Sequence, residues 1–437
     1  MIVGWVAAAL AIVVSLPWWL PRVVIAARVK IFELVNGDEG VQVPVEDFKQ
    51  VYANPAADGR SRGAALSDLF WYWLAPGPEV HQEHLEPGPR YDEVARTTRH
   101  VLARLRKDEW AALTARCAKR VLDDVRPDAA VRLRDLMMPI WAEVYFEAVF
   151  QEECPPRVRD MIVANADDVV SALKCTRLRH LGRRDRLTRY LRERIDAGTV
   201  PFALPALLGP QEQAYYLQGT FFNTAIVQMS EGMAHLGMAL AAHPALQDAL
   251  HADPADTDLL DRILDETLRV YPLFGIAHRI TSADIVLDSS GAVLPRGSVV
   301  LFNYAQYQHA ALPDGARFDP DHFQHHTAAQ LNHVPFGITA NRPCPARGIA
   351  PLSMRVVAAA LVSRFRLSTS ASHTRSLPNR GPVLLSAVDH RVSRLRLVPM
   401  WVRDRGEDVT RSLIQLVLGT YMVLDARRLK LCQTYFL

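Results

Sequence analysis

The sequence has almost no excess of charge of either sign. It carries 50 lysines and arginines against 47 aspartates and glutamates in 437 residues, which leaves a net charge of +3. Domains that bind nucleic acid concentrate basic residues much more strongly, so this class of function is excluded. A disordered chain is also excluded, because 49% of the side chains are apolar and can bury a large core.

Cysteine and lysine are both scarce. The five cysteines are scattered, odd in number and form no CxxC pair, which favours a reducing compartment over a disulfide framework. Lysine occurs at only six positions while alanine and arginine are abundant, a bias that suggests a GC-rich bacterial genome. The sequence also lacks internal repeats and the G-x-G-x-x-G, P-loop and G-x-S-x-G motifs.

The N-terminal segment has no charged side chain from Ile2 to Leu20. As a helix it would be roughly 28 Å long, close to the hydrocarbon thickness of a bilayer. Trp18 and Trp19 lie at its end, and the basic residues that follow are Arg22, Arg28 and Lys30. We therefore expect residues 1–21 to form an uncleaved single-pass membrane anchor with the next domain in the cytoplasm. A cleaved signal peptide and a helix buried in the fold are the alternatives, although no small-x-small cleavage site follows.

The middle of the chain, residues 22–402, is predicted to form one large domain, because no linker interrupts it. Helical periodicity covers Asp92–Arg126 and Gln211–His243, and a helix over Asp258–Tyr271 is capped by Asp256 or Thr257. Alternation typical of strands occurs between Ile280 and Phe302, around a Ser-Ser-Gly turn. The prediction is a mainly α domain with a small β region.

Residues 403–437 read as a C-terminal helical extension. Asp408–Leu431 is predicted to be helical, and its apolar stretch Leu413–Leu424 is too short to cross a bilayer. Docking on the protein body, on a partner protein or at the membrane surface all remain open, and packing against the chain's own domain is favoured.

Two other patterns have a plain and a functional interpretation. The arginine-dense stretch from Arg177 to Arg194 is typical of a solvated helix face, or it contacts anionic headgroups or an acidic partner. His81 and His84 have a spacing seen in metal sites. Prolines around them predict a loop, and no third ligand is organised nearby, so metal binding is not expected.

The segment His333–Leu352 carries the strongest chemical signal. Cys344 precedes a predicted helix, where the positive end of the helix dipole and free N–H groups favour a thiolate, the form that ligates iron. Arg342 adds a positive charge suited to a carboxylate. Upstream, Glu266 and Arg269 at i, i+3 project from one helix face and can pair.

These residues occur in a characteristic order. After the long helix ending at His243-Pro244 come Glu266-x-x-Arg269, Arg279, Phe318–Phe323 and the loop containing Phe336, Arg342, Cys344 and Ala346. In this order and separation the chain resembles the haem-thiolate cytochrome P-450 superfamily. The resemblance covers roughly residues 90–400 and is specific from 211 to 362.

The resemblance implies a cytochrome P-450 fold and haem b bound through Cys344 as the iron ligand. It implies that Phe336 and Ala346 shape the cysteine loop and that Arg279 and Arg342 hold the haem propionates. His100 with Arg104, or alternatively Trp110, is expected to join them. A further set is expected to brace the fold around the haem: Glu266, Arg269 and His322.

The chain departs from the family pattern in three places. The cysteine loop is one residue longer than usual and has Pro343 before the cysteine, and His322 stands where the family commonly has arginine. The central helix should also carry an acid followed by a threonine for proton delivery to bound dioxygen, but counting back from His243 puts Val227 and Gln228 there. A shift brings Asn223-Thr224 or Ser230-Glu231 into range, and a slip of one helical turn in the alignment remains open.

The resemblance implies a monooxygenase acting on a small, lipophilic molecule, with specialised metabolism as the expected setting. Because no nucleotide or flavin segment is present, electrons must come from separate proteins, and the family's donors are a ferredoxin and a ferredoxin reductase. The missing acid–threonine pair keeps open a haem-thiolate enzyme that is not a monooxygenase, performing oxidative coupling, peroxide-driven or rearrangement chemistry. The C-terminal helix keeps open a catalytically silent, membrane-bound partner or scaffold.

Overall fold

The computed structural model describes residues 2–253 and 256–437. Met1, part of the predicted anchor, lies outside the described residues, and the side chains of residues 2–4 and 6–10 are not described. The α-helices in the described ranges are α1 (Ile2–Asn36), α2 (Phe48–Ala53), α3 (Ala65–Leu74), α4 (Pro89–Leu102), α5 (Lys107–Leu122), α6 (Leu133–Phe150), α7 (Pro156–Leu173), α8 (Leu181–Asp196), α9 (Pro210–Leu217), α10 (Ile226–Ala242), α11 (Pro244–Ala252), α12 (Thr257–Val270), α13 (Tyr304–His309), α14 (His322–His325), α15 (Ala350–Val362), α16 (Arg394–Leu429) and α17 (Leu431–Tyr435).

In the described part of the chain, eight short strands form two three-stranded sheets and a hairpin. They are β1 (Gly40–Gln42), β2 (Ala129–Arg132), β3 (Ile276–Ile280), β4 (Ile285–Val286), β5 (Val293–Leu294), β6 (Val299–Asn303), β7 (Arg366–Ser368) and β8 (Pro382–Ser386). In the order β1-β6-β3, β1 is parallel to β6 and β3 is antiparallel to it, while β2-β8-β7 is antiparallel throughout. The predicted Ser-Ser-Gly turn joins β4 to β5. The prediction of a mainly α fold with a small β region is confirmed.

The long central helix is present and almost wholly buried, as its apolar sequence predicts. α9 and α10 are joined without a break by a π-helical segment, Gln218–Ala225, which the sequence did not indicate. α10 packs against α6, α12 and α15. The central helix therefore contacts both the helix that carries Glu266 and the helix that follows Cys344.

The capping of α12 follows its sequence. The Asp256 carboxylate accepts a hydrogen bond from the Leu259 N–H at 2.8 Å, so Asp256, and not Thr257, is the N-cap. The helix ends at Val270, just before Pro272, which removes a backbone donor.

The helix at the N-terminal end is longer than predicted. α1 continues past Leu20 to Asn36 and is ended by Gly37, whose φ of +84° favours glycine. Among the described residues, the part of α1 from Ala11 to Asn36 is the one helix long and apolar enough to cross a membrane. Only 6% of its most apolar window is buried. A membrane anchor and a signal sequence both have these properties.

The C-terminal helices pack against the body and against α1. α16 begins at Arg394 instead of Asp408, and the Trp18 and Trp401 rings of α1 and α16 lie 6.4 Å apart. α17 is tied to α3, because the Asp68 carboxylate accepts hydrogen bonds from the N–H groups of Cys432 and Gln433 at 2.8 and 3.1 Å.

Candidate active site

Cys344 lies in the loop that leads into α15. Its backbone N–H donates to the Phe336 carbonyl at 2.9 Å, and the N–H groups of Ala346 and Arg347 donate to its sulfur. Burial raises the pKa of the Cys344 thiol to about 11, against the lowering effect of these N–H groups. Because α15 begins only at Ala350, the loop's own N–H groups face the sulfur in place of the predicted helix terminus. A bound metal ion would therefore be needed to hold this sulfur as a thiolate at neutral pH.

Two buried aromatic side chains, Trp110 and Tyr145, belong to the same hydrophobic core as α15. Burial, and next the charge of Cys344, raises the pKa of the Tyr145 phenol. Its ring centroid lies 6.3 Å from that of Trp110. The Trp110 indole N–H donates to the Leu102 carbonyl at 3.0 Å, so it is engaged within the protein.

Glu266, Arg269 and His322 meet in a buried cluster. The Arg269 guanidinium donates to both Glu266 carboxylate oxygens at 2.7 Å, and the His322 Nδ1 lies 3.1 Å from Glu266 Oε1. Arg269 also donates to the Gly315 carbonyl at 2.6 Å, and the Asp319 N–H donates to Glu266 at 2.9 Å. Since an ionised carboxylate can only accept, the 3.1 Å contact favours a proton on His322 Nδ1 that points at Glu266. His322 is thus the third member of the cluster with Glu266 and Arg269, and it ties α12 to the start of α14.

Three arginines converge on one region with donors left unpaired. Arg279 donates to the carbonyls of Tyr52 and Asn341, and Arg342 donates to that of Leu85 at 2.6 Å. The Nε of Arg279, an Nη of Arg342 and the Nε of Arg60 are nevertheless buried without a partner among the described residues. The pKa of Arg279 and that of Arg342 are each lowered to about 10, first by burial and next by the charge of Arg60. Buried unpaired donors of one sign are unfavourable and match an anionic group.

His100 and Arg104 do not reach this arginine cluster. His100 is exposed on α4, and Arg104 lies 5.3 Å over the Phe202 ring and donates to the Val149 carbonyl at 3.5 Å. The residue of α4 that does reach the cluster is Tyr91, whose ring lies 3.8 Å beneath the Arg342 guanidinium.

The π-helical part of the central helix presents a polar face. Thr220, Thr224 and Gln228 recur at four-residue spacing and are only half-buried. The His81 Nε2 is hydrogen-bonded to the Thr224 hydroxyl, and its ring fits against Gly219, where a Cβ would lie 3.0 Å from it. His81 Nδ1 and Thr220 Oγ1 are buried without a partner among the described residues. Such π segments are frequent at functional sites.

The other candidates on the central helix are buried. Asn223 accepts a hydrogen bond from the Asn165 amide, and the Ser230 hydroxyl is fully buried without a hydrogen-bond partner among the described residues. Glu231 is bound by the Arg134 guanidinium and, at 3.1 Å, by the Lys174 ammonium group. Burial raises the pKa of Glu231, but Lys174 and Arg134 outweigh it and bring it to about 2. Glu231 is thus held ionised, and Thr224 and Gln228 are the candidates on the open face.

Sequence reasoning missed His81, Arg60 and Tyr91. His81 was noticed only as one half of a weak metal pair with His84, and the described residues bring no third ligand to that pair. Arg60 and Tyr91 belong to no local motif, so no sequence signal marked them. Their positions depend on contacts with Arg279 and Arg342, which are far away along the chain.

Known proteins resemble this chain in the part that carries the cysteine loop. The cytochrome P-450 family model matches residues 239–392. This segment includes Glu266, Arg269 and Cys344. The chain belongs to the cytochrome P-450 superfamily. A putative cytochrome P-450 135B1 of Mycobacterium tuberculosis is 32% identical over 148 residues, 33% of this chain and 30% of the relative. A pentalenene oxygenase of Streptomyces avermitilis is 32% identical over 151 residues, 33% of this chain and 32% of that relative. The matched segment therefore spans about a third of the length of these curated relatives.

Solved structures extend the likeness to most of the fold. A six-coordinated cytochrome P-450 from Thermus thermophilus has a TM-score of 0.60 at 16% identity, covering 80% of this chain and 99% of that one. Cytochrome P-450SP alpha, solved in complex with (R)-ibuprofen, has a TM-score of 0.66 at 17% identity, covering 79% and 89%. At these identities the likeness concerns the fold.

The residues of this cytochrome P-450 fit the haem that the family implies. A haem-thiolate site needs one cysteine sulfur for the iron and cationic donors for the two propionates of the haem. Cys344 offers the sulfur, and the unpaired N–H groups of Arg60, Arg279 and Arg342 offer the cationic donors. The departures in loop length and at His322 leave these donors in place.

Proposed function

We propose that this chain is a haem-thiolate monooxygenase that oxidises a small, lipophilic organic molecule. The observation that carries the proposal is the arrangement around Cys344: a sulfur that accepts two backbone N–H groups, beside a cluster of buried arginines with unpaired donors. The match of the family model to residues 239–392 supports the same assignment. Its substrate class is inferred from the apolar N-terminal helix, which favours access from a lipid phase.

In this proposal Cys344 ligates the haem iron, and Arg279 and Arg342 hold the propionates with help from Arg60. The thiolate-ligated iron would supply the oxidising chemistry and favour O–O scission. Phe336 and Ala346 shape the loop by taking and giving backbone hydrogen bonds around the cysteine. The cluster of Glu266, Arg269 and His322 holds α12 against the segment from Gly315 to His322.

On the central helix we assign proton handling to Thr224, with Gln228 one turn further on. The His81 imidazole positions the Thr224 hydroxyl and takes the place of the acid that the family carries. Burial lowers the pKa of His81, which keeps the ring neutral and able both to accept and to donate a proton. Asn223, Ser230 and Glu231 support the helix from its buried side.

The proposed setting is a membrane-bound protein with its catalytic domain in the cytoplasm. Residues 1–21 would anchor the chain, residues 22–402 would form the catalytic domain, and residues 403–437 would form an extension. Electrons would come from a ferredoxin and its reductase, because the sequence has no flavin or nucleotide motif. A partner protein that docks on the C-terminal helix is one of the alternatives for residues 403–437.

The carbon monoxide spectrum of the reduced protein tests the haem assignment. We expect the red-shifted Soret band of a thiolate-ligated haem in the unaltered protein and its loss in Cys344→Ser. The buried Cys117→Ser variant is the matched control and should keep the band. A band unaffected by Cys344→Ser would refute the proposal.

One observation favours a second candidate, a haem-thiolate enzyme driven by peroxide. Among the described residues, the hydrogen-bond partner of the Thr224 hydroxyl is the His81 imidazole and not a carboxylate, and Glu231 is engaged by Arg134 and Lys174. Turnover with dioxygen and electron donors, compared with turnover on hydrogen peroxide alone, separates the two. Product formed only with peroxide would replace the first candidate with the second.

A further inference from the structure

α16 buries some of its apolar side chains against the protein body and exposes others on its outer side. Between Gly406 and Leu424, every residue that the structure exposes is uncharged. These residues recur at helical spacing, and we call them the α16 stripe: Gly406, Thr410, Leu413, Ile414, Val417, Tyr421 and Leu424. Val417 is 66% exposed and Leu413 51%. A helix face that is exposed to water normally carries charged and polar residues, whereas the α16 stripe is uncharged and mostly apolar.

The charged side chains from Asp404 to Arg411 of the same helix are buried or half-buried. Asp404 and Arg411 are buried, and Glu407 is half-buried. Arg411 pairs with Glu407 at 2.9 Å, and Arg132, next to α6, reaches Glu407 and Asp404. Because these charges are neutralised against the body, the outward stripe is left without a charge of its own.

The α16 stripe continues the surface of a helix that is itself apolar enough for a membrane. α16 packs along α1, and the Trp18 and Trp401 rings meet at 6.4 Å. On α1, Ile25 and Val29 are 59% and 55% exposed. Indole rings favour the boundary between headgroups and acyl chains.

Basic residues bracket the stripe at both ends. Before it come the exposed Arg394, Arg396 and Arg403, and no acidic residue lies between Ser393 and Arg403. After it come Arg427, Arg428 and Lys430. Basic side chains near a bilayer are attracted to anionic headgroups. The charge pattern therefore complements a lipid surface with anionic character.

We propose that α16 is a second membrane-contacting helix, which runs beside α1 with the α16 stripe against the acyl chains. The stripe is roughly 27 Å long at 1.5 Å per residue. The charges on its inner face make it unsuited to cross the bilayer, and α1 is the one described helix that meets the criteria for a span. The membrane contact of this protein thus has two elements, and it is independent of the haem chemistry.

The test places an environment-sensitive fluorophore at single positions of the full-length, haem-loaded protein. Val417→Cys and Leu413→Cys report on the stripe, and Trp19→Cys on α1 is the reference for lipid contact. Val293→Cys, on the β4–β5 hairpin, is the matched control because its valine is 51% exposed. The vesicles contain phosphatidylcholine and phosphatidylglycerol at several protein-to-lipid ratios, with and without nitroxide-labelled lipid. An unchanged carbon monoxide spectrum shows that each labelled protein is folded.

We expect the probes at 413 and 417 to shift to the blue in vesicles and to be quenched by nitroxide lipid as strongly as the probe at 19. The probe at 293 should show neither effect. Water-like emission at 413 and 417 with a normal response at 19 would overturn the proposal, and so would no response at any position. A shift that appears only at high protein density, or only when ferredoxin is added, would show that a second copy or a partner protein covers the stripe, and would also overturn it.

Discussion

Replacing Glu231 by Gln should destabilise the protein without impairing proton delivery. Arg134, which binds Glu231, is only 1% exposed, so the substitution leaves a buried guanidinium without a counter-charge. The pKa of Glu231 is brought to about 2 from an ordinary 4.5, with the charges of Lys174 and Arg134 outweighing the effect of burial. Such a difference corresponds to about 3 kcal/mol. Breaking a buried ion pair from one side costs about 3–5 kcal/mol, which for a chain of this length lowers the melting temperature by about 4 °C.

Thermal unfolding of the haem-loaded protein measures this effect, with Asp261→Asn as the control. Asp261 pairs with Arg355 near the surface, so its loss should cost about 1 kcal/mol or less. Because the folded-state pKa of Glu231 is depressed, its contribution is complete above about pH 4.5 and is lost as the pH falls towards 2. The difference between the unaltered protein and Glu231→Gln should shrink over that range. Equal melting temperatures, or a fall in product formed per dioxygen in Glu231→Gln, would refute the reasoning and make Glu231 a proton donor.

Three further results are expected. His81→Phe and Thr224→Val should each lower the product formed per dioxygen by about tenfold or more, and each should shift the stretching frequency of bound carbon monoxide. The double variant should be little worse than either single variant. Effects that multiply in the double variant would contradict a shared role. Arg279→Met should release haem faster on transfer to apomyoglobin, whereas Arg104→Met should not, and equal rates would remove Arg279 from the propionate site. Burial lowers the pKa of His235 to about 3, so its stabilisation is complete above pH 6.5 and is lost as the pH falls towards 3. His235→Gln should therefore flatten the loss of melting temperature over that range, and an unchanged slope would contradict this.

The parts of the fold that the sequence predicted depend on local rules. The central helix follows from a run without proline and with apolar residues on nearly all sides. The Asp256 cap and the end of α12 before Pro272 follow from which residues can satisfy or remove backbone donors. Glu266 and Arg269 meet because three residues along a helix return a side chain to the same face.

The parts that could not be predicted depend on distant segments. The sequence offered both Thr224 and Glu231 as candidates for proton delivery. Glu231 is the weaker candidate because it pairs with Arg134 and Lys174, and both of these residues lie far from it along the chain. His81 lies far from Thr224 in the chain, and no spacing rule links them. The boundaries of α1 and α16 were also missed, since charged residues within each helix concealed its continuation.

By itself, the sequence determined the local chemistry of this protein: an apolar first helix, a Glu-x-x-Arg pair, and a cysteine loop that accounts for its family. These features are readable because each is set by neighbours within a few residues. Only the tertiary structure decided which arginines come together with unpaired N–H donors and which central-helix residue contacts His81. It also decided that the α16 stripe is exposed while Asp404 and Arg411 are buried. The physical reason is that burial, and with it the cost of an unpaired charge or an exposed apolar face, depends on what packs against a residue from the rest of the chain.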